Sequence, residues 1–290
     1  MVKKDNYSNR FLIDKLRGNE EIDNDQLKNR FISLYNSNEE LTSSLRYAQI
    51  IQSGVLPKNR HFNRLFDDFL ILYKPQSYVS GDFYWIGEVG RKVLFAVGDC
   101  TGHGAPGAML TMLAQSFLNH IILGKQLSDT SLILKEFDKK FIETFQGEND
   151  NFYSNDWIDI ALCSFDKDNY ELEFAGAKRK ILVVNKHESK LIKGNNYPLG
   201  GWQIEKNRNF ETHKIELKKG NMVYLGSDGF QDQIGGEKAK KFGSKQLHDI
   251  LVDIYPLPCE KQLMILKKKF KAWRQGEQQL DDVCIMGIRI

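Results

Sequence analysis

The sequence predicts an α+β domain preceded by an N-terminal helix. Three observations predict it. Short apolar runs rich in β-branched and aromatic residues stand at both ends of the main segment, stretches with helical spacing lie between them, and Pro57 divides an early helical segment from the rest. With 290 residues, 41% of them hydrophobic, the chain is long enough for a real core in one large domain or two small ones.

Residues 1–24 are polar and weakly patterned, a tail or a weak helix. From there Leu27, Phe31, Leu34, Asn38, Leu41, Leu45 and Ala48 step by four and three in alternation, the seam of a coiled coil. Asn38 on that seam would fix the register of a parallel pair, so residues 25–56 are expected as a helical linker that joins two copies through residues 27–48. The plainer reading of the same spacing is one amphipathic helix packed on its own domain. Pro57 ends the helix. "DDFLILYKP", "SGDFYWIGEV" and "RKVLFAVGD" then read as strands cut by glycine or proline. Pro106 sits in the first turn of a helix whose apolar face is expected to hold Met109, Leu110, Leu113, Phe117 and Ile121. Ser128 or Asp129 caps a second helix in "SDTSLILKEFDKKFIETF". Strands return in "WIDIALCSFD", "YELEFAGA", "KILVVN" and "MVYLGSDGF". Two late helices, "SKQLHDILVDIY" and "CEKQLMILKKKFKAW", precede a closing strand in "DDVCIMGIRI".

A formal net charge of +3 gives no ground for capture of nucleic acid or an anionic membrane. Cys100, Cys163, Cys259 and Cys284 lack metal or redox spacing and are expected as reduced thiols of a cytoplasmic protein. The N-terminus is too charged for a signal peptide, and no run is expected to reach the ~20 apolar residues of a membrane span, so no direct membrane insertion is expected.

Four turns share one design, an acid at a strand end beside glycine or another turn-former: Asp82 in "VSGDFYW", Asp99 in "FAVGDCTGHG", Asp228 in "VYLGSDGF", and Asp281–Asp282 in "QLDDVCIM". Any one of them alone reads as an ordinary turn. Together they suggest strand ends that converge, because buried carboxylates are costly unless paired or metal-bound. Hard divalent cations take such oxygen ligands, and a pair of them can hold a nucleophilic water and neutralise a phosphoryl group.

Those motifs, with "AQIIQSGVLP" and "YKPQSYVSGDFYW" ahead of them, stand in the order and spacing of SpoIIE-type serine phosphatases. This is the bacterial branch of the metal-dependent PPM, or protein phosphatase 2C, family, which the chain resembles over about residues 45–290. The resemblance implies a central β-sandwich of two antiparallel sheets flanked by helices, here over residues 57–290. It implies a dinuclear Mn²⁺ or Mg²⁺ site that hydrolyses phosphoserine or phosphothreonine on a protein, often an anti-sigma-factor antagonist in a partner-switching pathway. By the same resemblance Asp82, Asp99, the Cys100 carbonyl, Asp228 and Asp281 would be metal ligands, with Asp99 and Asp228 acting in catalysis through a metal-activated water. Asp282 is the less favoured alternative to Asp281. Gly102, His103 and Gly104 would form a loop facing substrate. His103 does not fall where the eukaryotic branch has its histidine, which leaves a catalytic-acid role as the alternative. The phosphate-binding arginine of that branch finds no counterpart before Asp82, so phosphate capture is expected to rest on the metals. Two competing readings are a non-catalytic interaction module of the same fold and a metal-dependent hydrolase of small phosphoesters.

Overall fold

Strand Lys92–Cys100 (β3) is apolar on both sides: Val93, Phe95 and Val97 face one way, Leu94 and Ala96 the other, and all are buried. Such a strand needs cover on both faces, which is why it reads as a continuous apolar run rather than an alternation. The computed structural model describes residues 24–145, 155–201 and 208–290; the polar tail expected over 1–24 lies outside them except for its last residue. In the first sheet, β3 lies between β2 (Asp82–Val89) and β4 (Trp157–Asp166), followed by β5 (Glu171–Ala177) and β9 (His213–Glu216); the short β8 (Leu199–Gly200) pairs with β4. The second sheet runs β1 (Asp68–Lys74), β13 (Val283–Arg289), β10 (Met222–Gly226), β6 (Lys180–Val184), β7 (Ser189–Lys193). The pairings within both sheets are antiparallel.

The inner faces meet in a core that includes Phe95, Phe174, Val223 and Met286. The outer face of the first sheet packs Trp85 and Leu94 against Phe117 of α3 (Gly104–Leu118) and Phe137 of α4 (Thr130–Phe145). The outer face of the second packs Leu70 and Tyr224 against Leu251 of α6 (Ser244–Ile254) and Phe270 of α7 (Cys259–Arg274). The result is four layers, helix–sheet–sheet–helix, the sandwich that the resemblance implied. A four-residue helix α5 (Gly229–Asp232) and a small hairpin, β11 (Ile234–Gly235) with β12 (Lys240–Lys241), complete the second half.

Several details differ from expectation or sharpen it. Asp129, not Ser128, caps α4, its carboxylate accepting the Leu132 amide at 2.9 Å. Met109 is 74% exposed, because the buried face of α3 runs through Ala108, Leu110, Thr111, Ala114 and Phe117 instead. With its π-helical extension Asn119–Gly124, this helix is long and apolar enough to cross a membrane, contrary to expectation; 56% of that stretch is buried, as in a core helix. β7, β8, β9, β11 and β12 are absent from the sequence reading because each is too short or too polar to form an apolar run.

Helix α1 (Asn24–Val55) has no proline and no glycine before Gly54; the short α2 (Asn59–Leu65) follows Pro57. The chain divides into two compact units, Met1–Tyr47 and Ala48–Ile290. In the first, the seam residues Leu27, Phe31, Leu34 and Leu41 are exposed. In the second, the last turns of α1 are anchored: buried Gln52 donates to the Ser80 carbonyl at 2.6 Å and accepts the Ser80 amide at 3.0 Å.

Candidate active site

Antiparallel register brings the acid-bearing turns to one end of the sandwich. Asp82 opens β2 and pairs with Asp99, next to last in β3; Asp99 in turn pairs with Asp159 of β4. Paired residues on neighbouring strands share a face, with Cβ atoms about 5 Å apart, and like charges there repel. Three carboxylates therefore stand in a row across three strands. In the second sheet, Gly226 pairs with Ile285, so Asp228 just after β10 and Asp281 just before β13 emerge at the same end.

The cation among them is Arg179, in the turn between β5 and β6. Its guanidinium contacts Asp99 directly and lies 3.3 Å from Asp228 and 3.6 Å from Asp159. The sequence reading missed both Arg179 and Asp159. Burial works against the Arg179 charge, but Asp99, Asp228, Asp159 and Asp82 outweigh it and hold its pKa above the ordinary value. One guanidinium cannot offset all these acids. Burial pushes Asp99 up to about 8; Asp228, Asp281 and Asp159 add to the rise and Arg179 opposes it. Asp82 is also raised, by its complete burial first and by Asp99 next, with the Ser227 hydrogen bond opposing. Burial raises Asp159 against the pull of Arg179 and Lys178. Asp281 is raised as well, by burial first, with the Asp282 amide and His103 opposing.

Asp82 is the buried end of the row. The Ser227 hydroxyl donates to its carboxylate at 2.5 Å and accepts the Cys284 amide at 3.0 Å, which ties the ends of the two sheets together. Asp282 is buried with both oxygens committed to backbone, accepting the amides of Gln76 at 2.6 Å and Gly81 at 2.7 Å. Its carboxylate thus serves as an anchor for the loop ahead of β2, whereas Asp281 lines the cleft. The Cys100 side chain is buried and its thiol raised well above the usual range by that burial, so it stays protonated and is no nucleophile.

Glycine shapes this end at two places. A Cβ on Gly81 would come within 2.6 Å of the Gly102 carbonyl and 3.1 Å of the Cys100 carbonyl, so the loop before β2 and the loop after β3 touch through bare backbone. Gly102 and Gly104 hold φ of 80° and 69°, the left-handed region that glycine adopts freely. His103 lies between them, exposed, on the wall of an open cleft of about 570 Å³ that Asp99, Asp228, Asp281 and Arg179 also line. Thr101 fixes the loop from the other side: its hydroxyl donates to Asp156 at 2.9 Å and accepts the Trp157 amide at 3.2 Å.

Among the described residues, no three histidine, cysteine or acidic side chains already converge on one point as a metal cage; the acids gather on Arg179 instead. The donor set nonetheless fits hard divalent cations. It is all oxygen, its acids outnumber their cation, and Asp159 Oδ1 is buried without a hydrogen-bond partner among the described residues.

Comparison with known proteins agrees with this architecture. The family Stage II sporulation protein E (SpoIIE) matches over residues 90–290. The PP2C domain of SiaA from Pseudomonas aeruginosa is 31% identical, with 88% of this chain covering 98% of that one at a TM-score of 0.78. The PP2C phosphatase domain and regulatory fragment of SpoIIE from Bacillus subtilis share the fold at 19% identity and a TM-score of 0.62, with coverage of 77% of this chain and 63% of that one. The RsbU and RsbW domains of a Mycobacterium tuberculosis protein share it at 17% identity and 0.60, covering 77% and 59%. Among curated proteins none matches in sequence. A four-layer sandwich with acids at one end defines a PP2C-type serine phosphatase domain, and the chain belongs to the SpoIIE family.

Proposed function

We propose that the chain is a metal-dependent protein serine/threonine phosphatase acting on a phosphorylated regulatory protein, such as an anti-sigma-factor antagonist in a partner-switching pathway. The observation that carries this reading is the Asp82–Asp99–Asp159 row, joined by Asp228 and Asp281 at an open cleft and short of positive charge. Asp82, Asp99, the Cys100 carbonyl, Asp228 and Asp281 would hold two Mn²⁺ or Mg²⁺ ions, with Asp159 a further oxygen donor. Bound there, the ions would supply a water of lowered pKa and positive charge against the phosphoryl oxygens.

The chain's own residues do the rest. Arg179 would offer its fork of N–H groups to the phosphoryl oxygens; its Nε is buried and has no hydrogen-bond partner among the described residues. Lys178, 5.5 Å over the Trp157 ring, adds positive charge to the cleft wall. His103 contacts the substrate backbone or side chains at the mouth. Gly81 and Asp282 keep the two metal-side loops in register.

The test is phosphate release from a phosphoserine protein with and without Mn²⁺. Wild type should depend on Mn²⁺, and Asp99→Asn should lose at least about 100-fold in rate, the scale expected when electrostatic preorganisation is removed. Equal rates for the two proteins would end the reading.

A further inference from the structure

A second concavity, of about 220 Å³, lies beside the cleft where α6 diverges from the edge of the second sheet. Leu182, Leu191 and Tyr224 line it from the sheet, and Leu247 and Lys245 from α6. Its volume is below the roughly 300–1,000 Å³ of pockets for whole cofactors or drug-sized ligands, so it suits one or two aliphatic side chains. Leu191 is 43% exposed on the edge strand β7, whose other side chains are polar apart from the buried Ile192.

Register decides the charge around it. Leu182 pairs with Leu191 and Lys180 pairs with Lys193, so by strand alternation both lysines stand on the leucines' face. Lys180, Lys193 and Lys245 form no ion pair with any described residue. An apolar floor edged by Lys180 and Lys245, with Lys193 on the same face of the sheet, favours an aliphatic side chain flanked by acids and disfavours a basic segment.

The groove and the cleft are lined by residues adjacent in the chain. Arg179 and Asp228 line the cleft, while their chain neighbours Lys180 and Ser227 line the groove. Successive residues of an extended segment are about 3.3 Å apart, so a phosphoserine at Arg179 leaves a residue a few positions away over Leu191. We infer that this groove docks the substrate's own chain, selecting a phosphorylated segment with an aliphatic residue between acids close to the phosphoserine. This rests on the phosphatase reading and names its substrate class.

Binding tests the groove apart from catalysis. Two fluorescein-labelled peptides that carry a non-hydrolysable phosphonate in place of the phosphoserine phosphate are compared on the full chain with Mn²⁺, one with Glu-Leu-Glu on both sides of the phosphonate, the other with Lys-Ser-Lys. Wild type should bind the first at least about tenfold tighter by anisotropy. Leu191→Glu and Lys245→Glu should each cut that preference at least about fivefold, while Mn²⁺-dependent hydrolysis of p-nitrophenyl phosphate stays within about twofold. Equal binding of the two peptides by wild type, or a preference that survives both substitutions, would overturn the inference. Selective binding without hydrolysis of the matching phosphoserine peptides or of p-nitrophenyl phosphate would support the groove and refute the phosphatase reading; hydrolysis with no selectivity would do the reverse.

Discussion

Asp99 sets the behaviour of the site at the scale of a single residue. Its carboxyl rises from an ordinary 3.8 to about 8 on folding, so the folded chain keeps a proton that the unfolded chain releases. The stability from that proton is complete below the unfolded pKa and is lost as pH rises towards 8, at most about 1.4 kcal/mol per pH unit. Asp82, Asp159 and Asp281 shift in the same direction. In EDTA, thermal unfolding should therefore occur at a lower temperature at pH 8 than at pH 6. Added Mn²⁺ should raise the midpoint more at pH 8, because cations then replace protons that are already leaving. A midpoint in EDTA that is flat or rises from pH 6 to 8 would contradict this. Arg179→Ala removes the cation shared by the acids, and urea unfolding without metal should show a loss of about 3 kcal/mol, largely restored by Mn²⁺. A loss that Mn²⁺ leaves unchanged would make Arg179 a purely structural residue. That Asp82, Asp99, Asp228 and Asp281 stand at strand ends was legible in the sequence, because each lies beside a turn-former. Asp159 was not, since "WIDIAL" reads as plain strand and only register sets it against Asp99. Arg179 was hidden in the run Lys178–Arg179–Lys180, where three cations look like a solvated turn.

At the scale of elements, the loop ahead of β2 joins two helices to the acids. Gln52 of α1 holds both backbone groups of Ser80, and Thr111 of α3 donates towards the carbonyls of Ser80 and Gly81, each at 3.1 Å. Ser80 Oγ in turn accepts the Asp82 amide at 3.0 Å. A shift in the last turns of α1 thus has a short route of direct hydrogen bonds to Asp82. Gln52→Ala removes two buried bonds and should cost about 2 kcal/mol. It should also weaken Mn²⁺ binding in calorimetry, whereas exposed Gln49→Ala should change neither. Unchanged Mn²⁺ affinity in Gln52→Ala would mean that the link only holds the helix in place. The helix itself was legible from its spacing and from Pro57. Gln52 was not, because a polar residue near a helix end reads as surface unless the loop that it binds is known.

At the scale of the whole molecule, the apolar strands and the covering helices were legible, but the strand order was not. β1 and β13 are neighbours although they come from opposite ends of the domain, and no local pattern encodes such a pairing. The sandwich was expected only from the family resemblance that the motifs carry, and with it the meeting of distant acids at one end. The exposed seam of α1 leads to a separate expectation for assembly. Sedimentation should show a dimer that Leu34→Lys with Leu41→Lys converts to a monomer. A monomeric wild type would remove the seam from the account.

The central claim is that carboxylates from both sheets hold divalent ions. Anomalous scattering at the manganese edge, from crystals grown with Mn²⁺, tests it most directly. The account predicts two peaks within coordination distance of Asp82, Asp99, Asp228 and Asp281, with the Arg179 guanidinium turned away from Asp99. A map without a peak there, and with Arg179 still bound to the acids, would contradict it.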